Sequence, residues 1–498
     1  MNFDVEYDVV VVGGGGSGKS AAYTIATESD LSVLVLEKMK ETGGTSQFAE
    51  GTCASESCEQ IARGIPDYPE GYDLPEGAHF PSHEEHYRRY LEYSHHRANP
   101  DVVRSFVWNS GETISILKSI GVEYSDVTLY AFDQDTELYT FHRPVGLGAR
   151  VQELLLRACI NSGVDIFTST PGKEIIKEDG RVVGIKAEDS EGNEIVIGCK
   201  AVILATGGFA DNREMVKEFS WIKGIDKGLP NRDIIDNSGD GIRMAIAAGC
   251  DTKDLGTIMT TSRAIGKTRE SPLSVAGQQP ALWVNVHGRR FYSEAVGHSF
   301  ADCANVIAQQ DGNTIYVIHD AGTLQVLKDT GSEIGLGDFI PFAKIETGVE
   351  AAAQEAMDAQ DGSGWIADSL EELADRAGLP KEPFLAAVER YNELCDAGFD
   401  EDFFKPAKYM RPIRTAPFVA IRKAAGINVS SGGLRVNGDM QCTDENYEPI
   451  PGLYAVGNEA SGLYGDTYNL DCPGTANGFA HTSGRIAARH AIKMIKGA

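Results

Sequence analysis

The segment Tyr7–Val12, followed at once by Gly13-x-Gly15-x-x-Gly18, constrains the fold of this chain more than any other feature. Its β-branched run Val9–Val12, closed by glycine, predicts a strand buried on both faces of a parallel sheet. Ser17–Ala26 then predicts a helix, and Leu31–Leu36 a second buried strand that ends in Glu37, nineteen residues beyond Gly18. In such a β-α-β unit the first glycine permits the turn, the second lets a pyrophosphate approach the backbone, and the third lets helix pack on strand. Gly16 and Ser17 open the helix, whose N-terminus offers N–H groups and positive dipole to phosphates. Glu37 is placed to accept both hydroxyls of an adenosine ribose. A glycine string alone is equally a structural turn; the flanking strands, helix and acid favour a dinucleotide.

Further along, Ala201–Ala205 with Thr206-Gly207-Gly208, and Gly452–Val456 with Gly457, repeat the strand-then-glycine pattern. Ile166–Thr170, Arg181–Glu188 and Glu194–Cys199 alternate like antiparallel strands. Ser82–Ile120 reads as helix broken at Asn99-Pro100, Cys53–Pro81 as a surface excursion, and Asn477–Ile495 as a closing helix. Between Arg263 and Pro417 the texture turns to helical stretches with Gly and Pro punctuation. The predicted fold class is α/β: a Rossmann-like nucleotide-binding domain in two parts, 1–262 and 418–498, interrupted by an inserted α+β domain, 263–417.

Charge excludes several function classes. Lys and Arg number 45 against 73 Asp and Glu, a net charge of −28 that repels phosphate backbones and anionic lipid headgroups. No nucleic-acid partner and no stable membrane insertion are expected. Nine cysteines fall without a C-x-x-C pair, and the acidic start MNFDVEYD lacks a basic leader, which points to a cytoplasmic, thiol-reducing setting. His79, His83, His86, His95 and His96 cluster near one helix, but no third ligand type accompanies them, so a solvated helix face is favoured over a metal site.

With these motifs in order, the chain resembles the fumarate reductase/succinate dehydrogenase flavoprotein family, which also contains the 3-ketosteroid dehydrogenases. The resemblance rests on VVVVGGGGSGKSAA, LEKMKETGGTS, KAVILATGGFADN, GDGIRMAIAAG, VNVHGRRFYSE and IPGLYAVGNEASG, standing in the family's order. It implies FAD. The loop Gly43–Gly51, with Gly44, Thr45, Ser46 and Gly51, would wrap the pyrophosphate and flavin. Thr206, Gly207 and Asp240 would lie close to FAD, and Asn458, Glu459, Gly474, Thr475 and Ala476 would contact ribitol and isoalloxazine. Lys38 stands beside Glu37 at the same site, facing solvent. Members with covalent flavin carry a histidine at about Thr45; here there is none, which implies non-covalent FAD. The insertion would cap the substrate, and the chemistry implied is hydride transfer between flavin and a carbon of an activated C=C bond, with a separate electron donor or acceptor.

The chain departs from the fumarate-type pattern at Thr323, where an arginine proton donor would stand, and at Asn428-Val429 and Asn469-Leu470-Asp471-Cys472, where paired histidines and an arginine would hold a dicarboxylate. Tyr464, Tyr468 and Cys472-Pro473-Gly474 instead resemble the ketosteroid dehydrogenase branch, in which a tyrosine beside a Pro-Gly turn hydrogen-bonds a ketone. A neutral or bulky enone is therefore the favoured substrate. A small unsaturated carboxylate held by Arg263, Arg289 or Arg290 is the alternative, and a flavin subunit of an electron-transfer complex a third reading. Arg290 and Glu294 stand where family members place a proton relay, with a cap-domain salt bridge as the competing reading. Tyr316, Tyr139 and Arg263 are weaker catalytic candidates.

Overall fold

The computed structural model describes residues 2–67, 76–131, 136–225 and 235–497. Its central sheet runs Gln441–Thr443, Pro449–Ala455, Ala201–Leu204, Val9–Val12, Val33–Leu36, Asp165–Phe167. All neighbours are parallel except the outer pair 441–443 and 449–455. Val9–Val12, Val33–Leu36 and Ala201–Leu204 are buried along their whole length, as unbroken apolar runs require. Each such side chain contributes about 1.5–3 kcal/mol of burial. Asp165–Phe167, read from its alternation as an antiparallel strand, instead extends the parallel sheet. Alternation there reflects an outer strand covered on one face only. Helices Gly16–Glu28 and Thr475–Lys496 lie on this sheet, the first from the glycine turn and the last from the closing segment.

A second, five-stranded sheet is built from residues 258–430 and contains the segment read as an insertion. Phe418–Ser430 pairs antiparallel with Ile258–Ala264, Thr314–His319 and Gly364–Ala367, and Leu282–Asn285 extends it. Its strands alternate between cores: Leu282, Val284 and Ile318 pack with Phe384 and Tyr391, while Trp283, Ile315 and Val317 join the main core. The divisions read at 262/263 and 417/418 fall within the strand Ile258–Ala264 and beside the central strand Phe418–Ser430. The segment 53–81 is no simple surface excursion: Cys53, Ala54, Ser55, Ser57, Glu59 and Gln60 are buried, and Cys58–Ala62 is helical. Its residues 68–75 lie outside the described residues. Among the described residues no helix is long and apolar enough to cross a membrane.

Candidate active site

A cavity of about 850 Å³ begins at the Gly13–Ser17 turn and ends among aromatic side chains at the insertion. Gly13 (φ +110°) lines it, and Gly18 packs behind Gly13, both without room for side chains. A Cβ on Gly13 would lie 2.3 Å from Ala205 O, and one on Gly18 1.9 Å from Gly13 O. Gly15 differs, with no atom closer than 4.0 Å to its virtual Cβ, so what lies before it is cavity. Glu37 lines the cavity with its carboxylate fixed by Gly14 N and Met39 N, each at 2.8 Å. Lys38 also lines it but does not face solvent: it pairs with Asp236 at 2.9 Å and Asp240 at 2.8 Å, drawn to the acidic N-terminus of helix Asp240–Ala247.

Gly13, Gly15, Gly16, Ser17, Gly44, Thr45, Ser46, Gly51, Thr206, Gly207, Asp240, Asn458, Gly474 and Ala476 all line the same cavity. Three of the sequence-predicted contacts stand behind it. Gly18 closes the helix onto the turn. Glu459, fully buried, accepts from Thr206 N and from Thr206 Oγ1 (2.8 Å), holding the 206–207 turn; burial pushes its carboxyl up to about 7. Thr475 is fully buried and bonded to the Tyr90 hydroxyl and Cys472 O. The residues facing the cavity fit a dinucleotide. Two helix N-termini, at Gly16 and Thr475, are directed at it, and the cavity-lining Thr42 Oγ1 and Asn477 Oδ1 are buried with no partner in the protein.

At the far end Tyr468 lines the cavity, its hydroxyl accepting from Ala476 N at 3.2 Å. Tyr464 does not reach the cavity. It stacks behind Tyr468 (centroids 5.3 Å apart) with its own hydroxyl buried and unpartnered, and burial raises both phenols. Cys472 is likewise buried, with its thiol pushed up, so it offers no thiolate.

Arg290 and Glu294 are not brought to the cavity. Arg290 donates to Glu294 (2.9 Å, twice) and to Asp400 (3.0 and 2.6 Å), packed over Tyr391 and Phe403, with Lys405 3.3 Å from Glu294. Two cations and two anions thus neutralise one another inside the insertion, and this geometry is that of a salt bridge rather than a proton relay to substrate. Asp400 is buried in this core. Tyr316 donates to Ala377 O in the insertion's own core, and Thr323 closes a capping box with Asp320. His86 is buried, bonded to Ser55 Oγ at 2.9 Å, rather than on a solvated face; among the described residues no group of side chains could hold a metal.

Several cavity residues carry no sequence signal. Tyr130, Phe300 and Phe339 form its walls with Tyr468; Tyr130 and Phe300 are 5.8 Å apart, Phe300 and Tyr468 6.4 Å. Tyr130 donates to Glu50 Oε2 at 2.8 Å and Asp338 N to Oε1 at 2.9 Å, while burial pushes the Glu50 carboxyl up. Arg269 lies over Phe339 at 4.9 Å. Only Glu50, adjacent to Gly51, had a neighbour that pointed to it.

Comparison with known proteins agrees with this geometry. The family described as FAD binding domain matches residues 8–472. A vinyl phenol reductase of Lactiplantibacillus plantarum is 33% identical, over 98% of this chain and 96% of its own. A fumarate reductase (cytochrome) of Shewanella frigidimarina is 28% identical over 98% of this chain and 77% of its own. In fold, the 3-ketosteroid delta1-dehydrogenase of Sterolibacterium denitrificans aligns with a TM-score of 0.75, at 20% identity, covering 99% of this chain and all of its own. The chain belongs to the FAD binding domain family and is an FAD-dependent oxidoreductase.

Proposed function

We propose that this protein reduces a C=C bond conjugated to a carbonyl in a bulky, arene-bearing substrate, with FAD held non-covalently. The class of reaction, FAD-dependent reduction of a C=C bond, is that of its relatives. The observation that carries the reading is Tyr468. Because its hydroxyl accepts from Ala476 N, its own proton is free to bond a carbonyl oxygen in the cavity. A phenol in this position stabilises the enolate that develops as the β-carbon accepts hydride. Reduced FAD, when bound, supplies that hydride. The second hydrogen is a proton given to the α-carbon. Tyr130, bonded to Glu50 in the resting protein, would supply it once a protonated Glu50 donates to the Tyr130 oxygen, which turns the phenol proton toward the cavity and replaces it after transfer. The aromatic walls exclude water around the charge that forms. Electrons reach the flavin from a separate carrier. We place the enzyme in the cytoplasm, a setting compatible with nine free cysteines.

Removing the hydroxyl tests this. Tyr468→Phe is expected to lower the rate of flavin reoxidation by conjugated alkenes by about 10²–10³. Tyr464→Phe, behind it, is expected to change the rate only a few-fold. A Tyr468→Phe enzyme within a few-fold of wild type overturns the assignment.

A further inference from the structure

The missing fumarate-type clamps argue for a neutral substrate, but two arginines elsewhere reopen the question. Arg269 lines the aromatic end of the cavity, and among the described residues its one hydrogen bond runs to Thr261 Oγ1 at 3.1 Å. Arg263, on the strand Ile258–Ala264, lines a small annex that shares Tyr130, Arg269, Phe300 and Phe339 with the main cavity. Its Nε is buried with no partner. Neither guanidinium forms an ion pair among the described residues, although the chain holds 73 carboxylates against 45 basic side chains. The two charges also repel each other: burial and Arg269 together weaken the hold of Arg263 on its proton. Glu50 acts on Arg269 and Glu270 on Arg263 through space, but among the described residues neither acid is bonded to either guanidinium. Half-buried like charges with unspent donors are unfavourable unless an anion completes them.

We infer that Arg269 and Arg263 form an anion subsite and that the substrate is an aryl-substituted propenoate, its carboxylate held by these guanidiniums and its ring by Phe300, Phe339 and Tyr130. Two planar donor sets suit the two oxygens of a carboxylate. The inference rests on the C=C reading above and names the carbonyl of that reading as part of a carboxylate.

Cinnamate, cinnamamide and 4-vinylphenol titrated into the oxidised flavoprotein test it by calorimetry. Cinnamate is expected to bind at least about tenfold more tightly than its amide, because its carboxylate accepts charge-assisted hydrogen bonds. Arg269→Gln and Arg263→Gln should each erase that preference while leaving amide affinity within about twofold, and Arg269→Lys should restore part of it. Equal affinities for acid and amide overturn the subsite, as does an Arg269→Gln protein that keeps the preference. Tighter binding of 4-vinylphenol than of cinnamate, lost in Arg269→Gln, overturns the carboxylate in favour of a phenolate. If neutral alkenes reoxidise the reduced flavoprotein while cinnamate neither binds nor reacts, the anion subsite falls and the C=C reductase stands. If no conjugated alkene reoxidises it, the reductase reading itself falls.

Discussion

Arg290 and the pair Arg263/Arg269 belong to the same inserted sheet region, yet their surroundings are opposite. Arg290 is enclosed, bonded along both edges to Glu294 and Asp400 and covered by two aromatic rings. Every donor that reaches a carboxylate there is spent on the protein itself. Arg263 and Arg269 face a cavity and its annex with no acid bonded to either among the described residues. The difference separates two uses of one side chain: a saturated guanidinium holds a fold together, whereas an unsaturated one beside a cavity has capacity left for a ligand.

The largest expected effect tests the saturated side. Arg290→Ala leaves Glu294 and Asp400 buried without their shared cation, a loss of roughly 3–5 kcal/mol. Urea unfolding should show it as a large fall in midpoint; a fall below 1 kcal/mol would break the contrast. Glu459 sharpens it from the acid side, being fully buried with no cation partner among the described residues. Its carboxyl is raised from 4.5 to about 7, so the folded state holds a proton that the unfolded chain has released. Stability from this group is therefore fully present below about pH 4.5 and is lost as pH rises through 7, by about 3 kcal/mol. Unfolding of wild type and Glu459→Gln at pH 5 and 8 should converge at the acid end and separate at the alkaline end, with the variant the less pH-sensitive. The smallest effect belongs to the unsaturated pair. Arg269→Gln should change unfolding stability by no more than about 0.5 kcal/mol, and in the stabilising direction, because it removes one of two repelling charges. A clear destabilisation would mean that Arg269, like Arg290, serves the fold.

The nucleotide half was legible because its requirements are local. Val9–Val12, the three spaced glycines and Glu37 are dictated by a turn, a phosphate approach and a ribose contact within one β-α-β unit, and the cavity is lined at Gly13, Gly15 and Glu37 accordingly. The resemblance extended this to Gly44–Ser46, Thr206 and Ala476, contributed by segments hundreds of residues apart in the chain. The substrate half obeyed no such rule. Arg290 and Glu294 have catalytic-looking chemistry four residues apart, but Asp400, more than a hundred residues later, closes them into a neutral core. Thr475 and Glu459 sit beside true cavity residues and point away, because neighbours on a helix start or a short turn face different directions.

By itself the sequence determined the nucleotide-binding architecture, since periodicity and glycine spacing act locally, and the resemblance carried by its ordered motifs implied FAD. Only the tertiary structure decided which tyrosine faces the cavity, that Arg290 is structural, and that among the described residues Arg263 and Arg269 are not ion-paired. Whether a charged side chain is spent or unspent depends on partners that folding brings from elsewhere in the chain, and the spacing of residues along the chain carries no record of that.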